Sequence, residues 1–492
     1  MADEPQQPKQ PKKIVPKKYP MPEQDPMERI KNFNEVPIGQ EAQTAILEAQ
    51  RCLQCKRGPN RKVCTDGCPV EIDIPVFIKQ VQEGNFEEAI RIIRQKQNLP
   101  AVCGRVCPYE NQCEGLCVVG KKNEPVGIGR LERFLADWER REMKKGKIDV
   151  PPPTGKKVAV VGAGPAGLTV AGDLAKLGHK VTVFEALQYC GGVLVYGIPE
   201  FRLPKEIVHA EVDYIRRMGV DIKNDYVVGK LDTVDELMQN FDAVFVATGA
   251  GLPDWTNLKG ENLNGILSAN EFLTRVNLMK AFKFPEYDTP IRAGERVVTI
   301  GGGNVAMDCA RTSLRLGCKE SVILYRRSDA ELPARREEVH HAQQEGVRFE
   351  LLAAPVEFIG DDCGNVKQVR AIRMQLGEPD ASGRRRPVKI LGSEFLIDAQ
   401  TVLIAIGQSP NPLVPMTTPD LKTTKEGTIA VDEEGRTSKK AVWAGGDIAS
   451  GAATVILAMG DGKKAAKSMH KYLTQDQSWP APEVFEKLSC EM

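Results

Sequence analysis

The chain has 492 residues, too many for one ordinary hydrophobic core, so roughly two to four domains are expected. Its 41% apolar and 27% charged residues exclude a disordered chain, and a formal net charge of +1 gives no electrostatic reason to expect nucleic acid or an anionic membrane as partner. There is no apolar run of membrane-spanning length and no apolar signal core after Met1, so the protein is expected to stay in the cytoplasm.

Residues 1–35 are rich in Pro and Lys, have no periodic apolar face, and read as an extended arm, either a plain tail or a segment that docks a partner. The region 36–145 reads as helical, with Phe86, Ala89, Ile90 and Ile93 at helical spacing. It holds eight of the thirteen cysteines: Cys52-x-x-Cys55, Cys64-x-x-x-Cys68-Pro69, Cys103-x-x-x-Cys107-Pro108 and Cys113-x-x-x-Cys117. Without an export signal, metal ligation is a better reading than a disulfide framework. Zinc sites usually show two equivalent short pairs, whereas this chain has mixed spacings and a proline after Cys68 and Cys107. Two groups of four therefore point to two iron–sulfur clusters, and the soft, anionic thiolates suit them.

A linker follows at Met143–Lys157, with Pro151-Pro152-Pro153. Next, Val158–Val161 runs into Gly162-x-Gly164-x-x-Gly167, a helical stretch, and a second strand ending at Glu185, 23 residues past Gly162. This is a dinucleotide fingerprint: glycines for the turn, the pyrophosphate approach and helix packing, and an acid for a ribose hydroxyl. A Gly/Pro-punctuated loop covers Gly191 to Lys205 and includes Gly192 and Arg202, an arginine that reads equally as a cofactor neighbour or as a structural salt bridge of the loop. A buried strand then ends at Thr248-Gly249.

A second fingerprint begins at Val297 and contains Gly301, Gly303, Asn304 and Ala306. Its second strand, from Ser321 to Tyr325, ends in Arg326-Arg327 where the first unit has an acid. Arginine suits a 2′-phosphate, so NADP(H) is preferred to NAD(H). Thr401–Ile406 reads as a buried strand, and Gly446-Asp447 ends another. Ala452–Met459 reads as a helix returning beneath the first nucleotide. Cys190 stands alone, which disfavours a dithiol reductase; His340 and His341 read as solvated; residues 476–492 read as a C-terminal tail containing Cys490.

Two nucleotide units, a Thr-Gly strand end and a late Gly-Gly-Asp together resemble the flavoproteins with paired dinucleotide-binding domains. A narrower resemblance covers almost the whole chain. Cys-Gly-Arg-Val-Cys-Pro (103–108), Cys-Glu-Gly-Leu-Cys (113–117), Ile-Gly-Arg-Leu-Glu-Arg-Phe (128–134), Tyr-Gly-Ile-Pro-Glu-Phe-Arg-Leu-Pro-Lys (196–205) and Tyr-Arg-Arg (325–327) look like the glutamate synthase small-subunit family. Within it, Pro22–Pro26 and the loop 196–205 look closest to the stand-alone branch, which includes the large subunit of the electron-bifurcating NADH-dependent reduced ferredoxin:NADP oxidoreductase.

The resemblance implies an α/β fold with two Rossmann-like domains after a helical ferredoxin-type domain. FAD would be bound by 155–285 and 398–475, NADPH by 286–397. It implies FAD contacts from Gly162, Gly164, Gly167, Glu185, Gly192, Arg202, Thr248, Gly249, Gly446 and Asp447, and NADPH contacts from Gly301, Gly303, Asn304, Ala306, Arg326 and Arg327. One [4Fe-4S] cluster would take Cys52, Cys55, Cys64 and Cys117; the other, Cys68, Cys107, Cys113 and Glu132, with Cys103 as the thiol rival to Glu132. The eight residues between Cys55 and Cys64 exceed the family's usual four or so. The implied function is exchange of electrons between NADPH and a partner subunit. That partner is a ferredoxin–NADP reductase-like flavoprotein working with ferredoxin, or alternatively the glutamate synthase large subunit. No acid–base residue is singled out.

Overall fold

The computed structural model describes residues 14–56, 58, 63–143, 146, 148–380, 383–475 and 478–491. The loop 56–62 after Cys55 and the first thirteen residues of the arm therefore lie largely outside the described residues. No described helix is long and apolar enough to cross a membrane.

The cysteine-rich region folds as helices Ala42–Ala49, Ile74–Gln82, Phe86–Lys96, Pro100–Val106 and Ile128–Glu142. Two of them start with proline in the first turn, where the missing N–H is unneeded and φ is already helical. Ile74, Phe77, Ile78, Val81, Ile90, Ile93 and Leu135 share one core. Gly104 is what brings Pro100–Val106 onto Ile128–Glu142, since a Cβ there would lie 2.6 Å from the Arg133 Cα. That approach carries Cys103 and Cys107 to the Glu132 side of the long helix.

Two parallel five-stranded sheets follow. The first has the order Val442–Ala444, Ala243–Val246, Lys157–Val161, Lys180–Phe184, Asp221–Lys223; the second has Ile266–Ser268, Thr401–Ile404, Arg296–Ile300, Glu320–Tyr325, Arg348–Leu351. Their central strands are buried on both faces, as helix-covered parallel sheets require. An antiparallel sheet, Ala353–Gly360, Val366–Pro379 and Arg385–Asp398, is appended to the second unit. The chain leaves and re-enters the first unit through a two-stranded ribbon, Ala250–Pro253 against Gln408–Pro410.

This differs from the boundaries read in the sequence. Ile266–Ser268 and Thr401–Ile404, assigned there to the first nucleotide domain, pair in the second sheet, so the inserted unit occupies the span between the ribbon strands, 254–407. Apolar runs reveal strands but not the partner a parallel strand chooses.

The described part of the arm is docked rather than free. It contains a short helix, Pro26–Arg29, and the Val36 N–H donates to the Phe201 carbonyl at 2.9 Å. Arg29 is 1% exposed and its Nε donates to Glu345 Oε1 at 2.7 Å. The C-terminal segment is docked too: Trp479 packs edge-on against Trp443 at 4.7 Å, and Phe485 is fully buried.

Arg29 joins a buried ion network. Glu345 accepts from Arg311 and Arg315; Glu338 pairs with Arg311 at 2.5 Å and Arg202 Nε at 2.9 Å; Asp308 accepts twice from Arg202 Nη1, at 2.8 and 2.7 Å. Burial alone would raise the Glu338 carboxyl, but Arg202, Arg311 and Arg335 together hold it at about 2. Because the folded value lies below the ordinary 4.5, its contribution is complete above pH 4.5 and is lost as pH falls towards 2. Glu338→Gln is therefore expected to lower the melting temperature at neutral pH, by an amount that narrows as pH is lowered from about 5 to 3. A difference independent of pH over that range would contradict the assignment.

Candidate functional site

At the first nucleotide site, the strand Lys157–Val161 ends at Gly162, whose φ of +102° turns the chain into the helix Pro165–Ala175. A Cβ on Gly167 would lie 1.9 Å from the Gly162 carbonyl oxygen, so only glycine lets helix and turn meet. Gly164, at the helix N-cap, has nothing within 4 Å of its Cβ position: there the backbone is open to a pyrophosphate. Glu185 is buried and accepts from the Ala163 N–H at 2.7 Å and the Leu187 N–H at 2.9 Å, which fixes the carboxylate beside the glycine loop.

The rest of the pocket comes from distant segments. Gly191 donates to the Ala163 carbonyl, and a Cβ on Gly192 would lie 3.2 Å from the Gly164 Cα. The Thr248 hydroxyl oxygen is buried with no hydrogen-bond partner among the described residues, and Gly249 turns away with φ +70°. Gly446 lies against Ala166 and Ala458, and Asp447 begins the short helix that follows. Burial raises the Asp447 and Glu185 carboxyls, and both lie close enough to Tyr196 to add to the burial that pushes its phenol up to about 12. An orphaned hydroxyl, an open helix N-terminus and two carboxylates around one cleft fit a dinucleotide.

The second nucleotide site repeats the design. Gly301 has φ +140°, and Gly303 caps the helix Asn304–Arg315 with nothing within 4 Å of its Cβ position. Ala306 is buried in the first turn. Asn304 accepts from the Arg335 N–H at 2.9 Å, so its side chain braces the neighbouring loop. The two arginines separate. Arg326 is exposed with no partner among the described residues, whereas Arg327 is 4% exposed, donating to the Arg385 carbonyl and to Asp380. Only Arg326 is free for a 2′-phosphate.

The cysteines form two groups. Cys52, Cys55, Cys64 and Cys117 are electrostatic neighbours; burial pushes the Cys52 thiol up to about 11 and the Cys64 thiol to about 12, with Cys55 and Cys117 adding to both. Cys68, Cys107, Cys113, Cys103 and Glu132 form the other group. Glu132 is 6% exposed, its carboxyl pushed by burial up to about 8 although Gln97 donates to it. Buried thiols and a buried carboxyl of this kind ionise readily only around a cation, so both donor sets fit metal. In the first group Cys52, Cys55 and Cys117 are partly exposed and Cys64 is buried; in the second Cys68 is partly exposed and Cys103, Cys107 and Cys113 are buried. Cys103 turns its sulfur towards the flavoprotein-like unit, 3.5 Å from Met459 Sδ.

Helix Val455–Gln475 lies between this second group and the first nucleotide site. A Cβ on its Gly460 would lie 3.2 Å from the Pro69 Cβ, while Ala458 faces Gly446. Of the two readings of Arg202 the structure shows the salt bridge, its guanidinium being occupied by Asp308 and Glu338. His341 is not solvated: it is 3% exposed, with Nε2 3.1 Å from Glu23. Sequence reasoning missed Gln97, Asn98 and Met459. No spacing marks them; only their long-range contacts do.

Comparison with known proteins agrees with this division. Residues 29–144 match the family described as dihydropyrimidine dehydrogenase domain II, 4Fe-4S cluster, and residues 156–462 match the pyridine nucleotide-disulphide oxidoreductase family. The chain is 40% identical over 444 residues to the NADP(+)-dependent formate dehydrogenase subunit beta of Moorella thermoacetica, covering 85% of this chain and 61% of that one. It is 38% identical to the NADPH-Fe(3+) oxidoreductase subunit beta of Geobacter sulfurreducens, covering 85% and 64%. It thus spans about three fifths of the length of these two relatives. To the glutamate synthase [NADPH] small chain of Azospirillum brasilense it is 38% identical, covering 92% of this chain and 94% of that one. The Mycobacterium tuberculosis FprA structure in complex with NADPH superposes with a TM-score of 0.55 at 22% identity, over 69% of this chain and 90% of that one; this is a likeness of fold.

The two glycines of the first loop separate folding from binding. Gly164→Ala places its methyl in open space and is expected to leave thermal stability unchanged while weakening flavin retention. Gly167→Ala meets the Gly162 carbonyl and is expected to lose both. Absorbance of the purified variants and their melting temperatures distinguish the two; equal behaviour would contradict this reading of the loop.

Proposed function

We propose a function from one premise: the chain belongs to the glutamate synthase small-chain family, and its residues 156–462 to the pyridine nucleotide-disulphide oxidoreductase family. It is an NADPH-dependent FAD and iron–sulfur oxidoreductase subunit that exchanges electrons with a partner protein. In the finer reading it is the large subunit of an electron-bifurcating ferredoxin:NADP oxidoreductase. The observation that carries the electron-transfer reading is the stack of second cysteine group, helix Val455–Gln475 and first nucleotide loop, in which Met459 and Gly460 meet the cysteine domain and Ala458 meets Gly446.

FAD would be held by Gly162, Gly164, Gly167, Glu185, Gly192, Thr248, Gly249, Gly446 and Asp447, and NADPH by Gly301, Gly303 and Arg326, with Asn304 and Ala306 shaping the turn. Cys52, Cys55, Cys64 and Cys117 would hold one cluster near the surface; Cys68, Cys107, Cys113 and Glu132 would hold the other against the flavin unit. When bound, flavin and clusters together convert two-electron nicotinamide chemistry into single-electron transfer. The chain itself supplies position and a buried environment: open helix N-termini for two pyrophosphates, and a positive charge at Arg326 for the 2′-phosphate. A second reading, the reductase arm of glutamate synthase, is favoured by the 94% coverage of the Azospirillum brasilense small chain.

Anaerobically purified protein is expected to contain FAD and about eight iron atoms per chain, and NADPH is expected to bleach its flavin absorbance. About four irons would sink the two-cluster assignment, and no bleaching would sink the NADPH assignment. Arg326→Ala is expected to raise the KM for NADPH about 10- to 100-fold, the worth of one charge-assisted contact, and to leave the KM for NADH unchanged. An anaerobic pull-down from the native cells separates the two finer readings. A small ferredoxin–NADP reductase-like flavoprotein supports bifurcation, and a large amidotransferase-type chain supports the glutamate synthase arm.

A further inference from the structure

Gln97 is the C-cap of helix Phe86–Lys96 and is 1% exposed. Its Nε2 donates to Glu132 Oε1 at 2.5 Å across 35 residues of sequence, and its own Oε1 is buried with no hydrogen-bond partner among the described residues. A buried amide oxygen without a partner is costly, because it has given up its bonds to water and gained none. With Glu132 ionised, as it would be around a cation, the carboxylate only accepts, so turning the amide over would set oxygen against oxygen. The side chain is therefore held by its donor end alone, and that end faces one oxygen of Glu132.

The backbone around Gln97 is fixed from both sides. Its N–H donates to the Ile93 carbonyl at 3.0 Å, and the next residue, Asn98, donates through Nδ2 to Asp173 at 2.9 Å and accepts from Lys176 Nζ at 2.6 Å. Asp173 and Lys176 belong to the end of the helix that starts at the first glycine loop. Asn98 also fills the space a Cβ on Gly172 would take, 2.6 Å away. Gln97 thus projects from a rigid junction between the cysteine domain and the first nucleotide unit.

We propose that Gln97 is a positioning residue for the metal centre of the second cysteine group: it pins one oxygen of Glu132 and so leaves the other to face Cys68, Cys107 and Cys113. This rests on the reading of Glu132 as a ligand given above. A single hydrogen bond to a carboxylate ligand withdraws charge and favours the reduced, more negative state of the cluster; its loss disfavours reduction.

The test uses the anaerobically purified full chain and Gln97→Met, unbranched and of similar length but with no donor, with Gln97→His as the variant that keeps an N–H. Flavin content and the signal of the first cluster report on folding. In Gln97→Met the second cluster is expected to change its EPR g-values, and its reduced-to-oxidised ratio at the wild-type midpoint to fall about tenfold, the factor a hydrogen bond to a charged group is worth. Gln97→His is expected to lie nearer wild type. Selective loss of the second cluster in Gln97→Met, with the first intact, supports the same conclusion. Wild-type g-values and midpoint for the second cluster in Gln97→Met overturn it. If Glu132→Ala also leaves iron content and the second-cluster spectrum unchanged, the ligand reading itself has failed and the proposal fails with it.

Discussion

The arrangement of the molecule depends on three carboxylates buried among arginines. Asp308, Glu338 and Glu345 lie on two helices of the inserted nucleotide unit, and their partners come from two other places, Arg202 from the loop of the first unit and Arg29 from the arm, and from the insertion's own glycine-loop helix, Arg311 and Arg315. Each charge taken out of water has to be matched where it lies, because an unmatched one costs about 3–5 kcal/mol. The two nucleotide units are joined covalently only by the ribbon Ala250–Pro253 and Gln408–Pro410. The ribbon by itself leaves freedom to rotate, and the ion network selects one orientation. Arg335 extends the same logic to the cysteine domain, donating to the Arg105 carbonyl at 2.8 Å and lying over the Tyr109 ring.

A second constraint works through small size rather than charge. Helices Pro165–Ala175 and Val455–Gln475 touch closely because Gly462 faces the Ala166 carbonyl, where a Cβ would lie 2.6 Å away. Gly460 performs the same service on the opposite face, against Pro69. One helix therefore separates the nucleotide loop from the cysteine domain by no more than its own thickness, about 10 Å. Larger residues at these positions would push the two apart.

Much of this was legible in the sequence where the signal is local. The two glycine fingerprints, the two cysteine runs and the divergence between Glu185 and Arg326 follow from short spacings, because turns, helix starts and metal loops are built from neighbours in the chain; that Cys117 crosses to Cys52 and Cys64, and Cys68 to Cys113, is implied only by the family resemblance. What escaped is whatever depends on distant partners. Arg202 reads equally as a cofactor contact or an ion-pair residue until Asp308 is placed beside it, 106 residues away. Arg327 looks like a twin of Arg326 until the hairpin carrying Asp380 closes on it. The arm's lysines and prolines resemble those of a free tail, and Arg29 gives no local hint of its burial. The C-terminal segment likewise reads as a tail until Trp479 is placed against Trp443.

The contact between Cys103 and Met459 joins residues 356 apart in sequence, and Arg29 waits for Glu345 across a comparable gap. At a synthesis rate of about 5–20 residues per second, some 20 to 70 seconds separate the emergence of the cysteine domain from that of the helix that covers it. During that interval the second group of ligands has no lid. The order of the chain gives the metal donors a period of open access before the flavin unit closes over them.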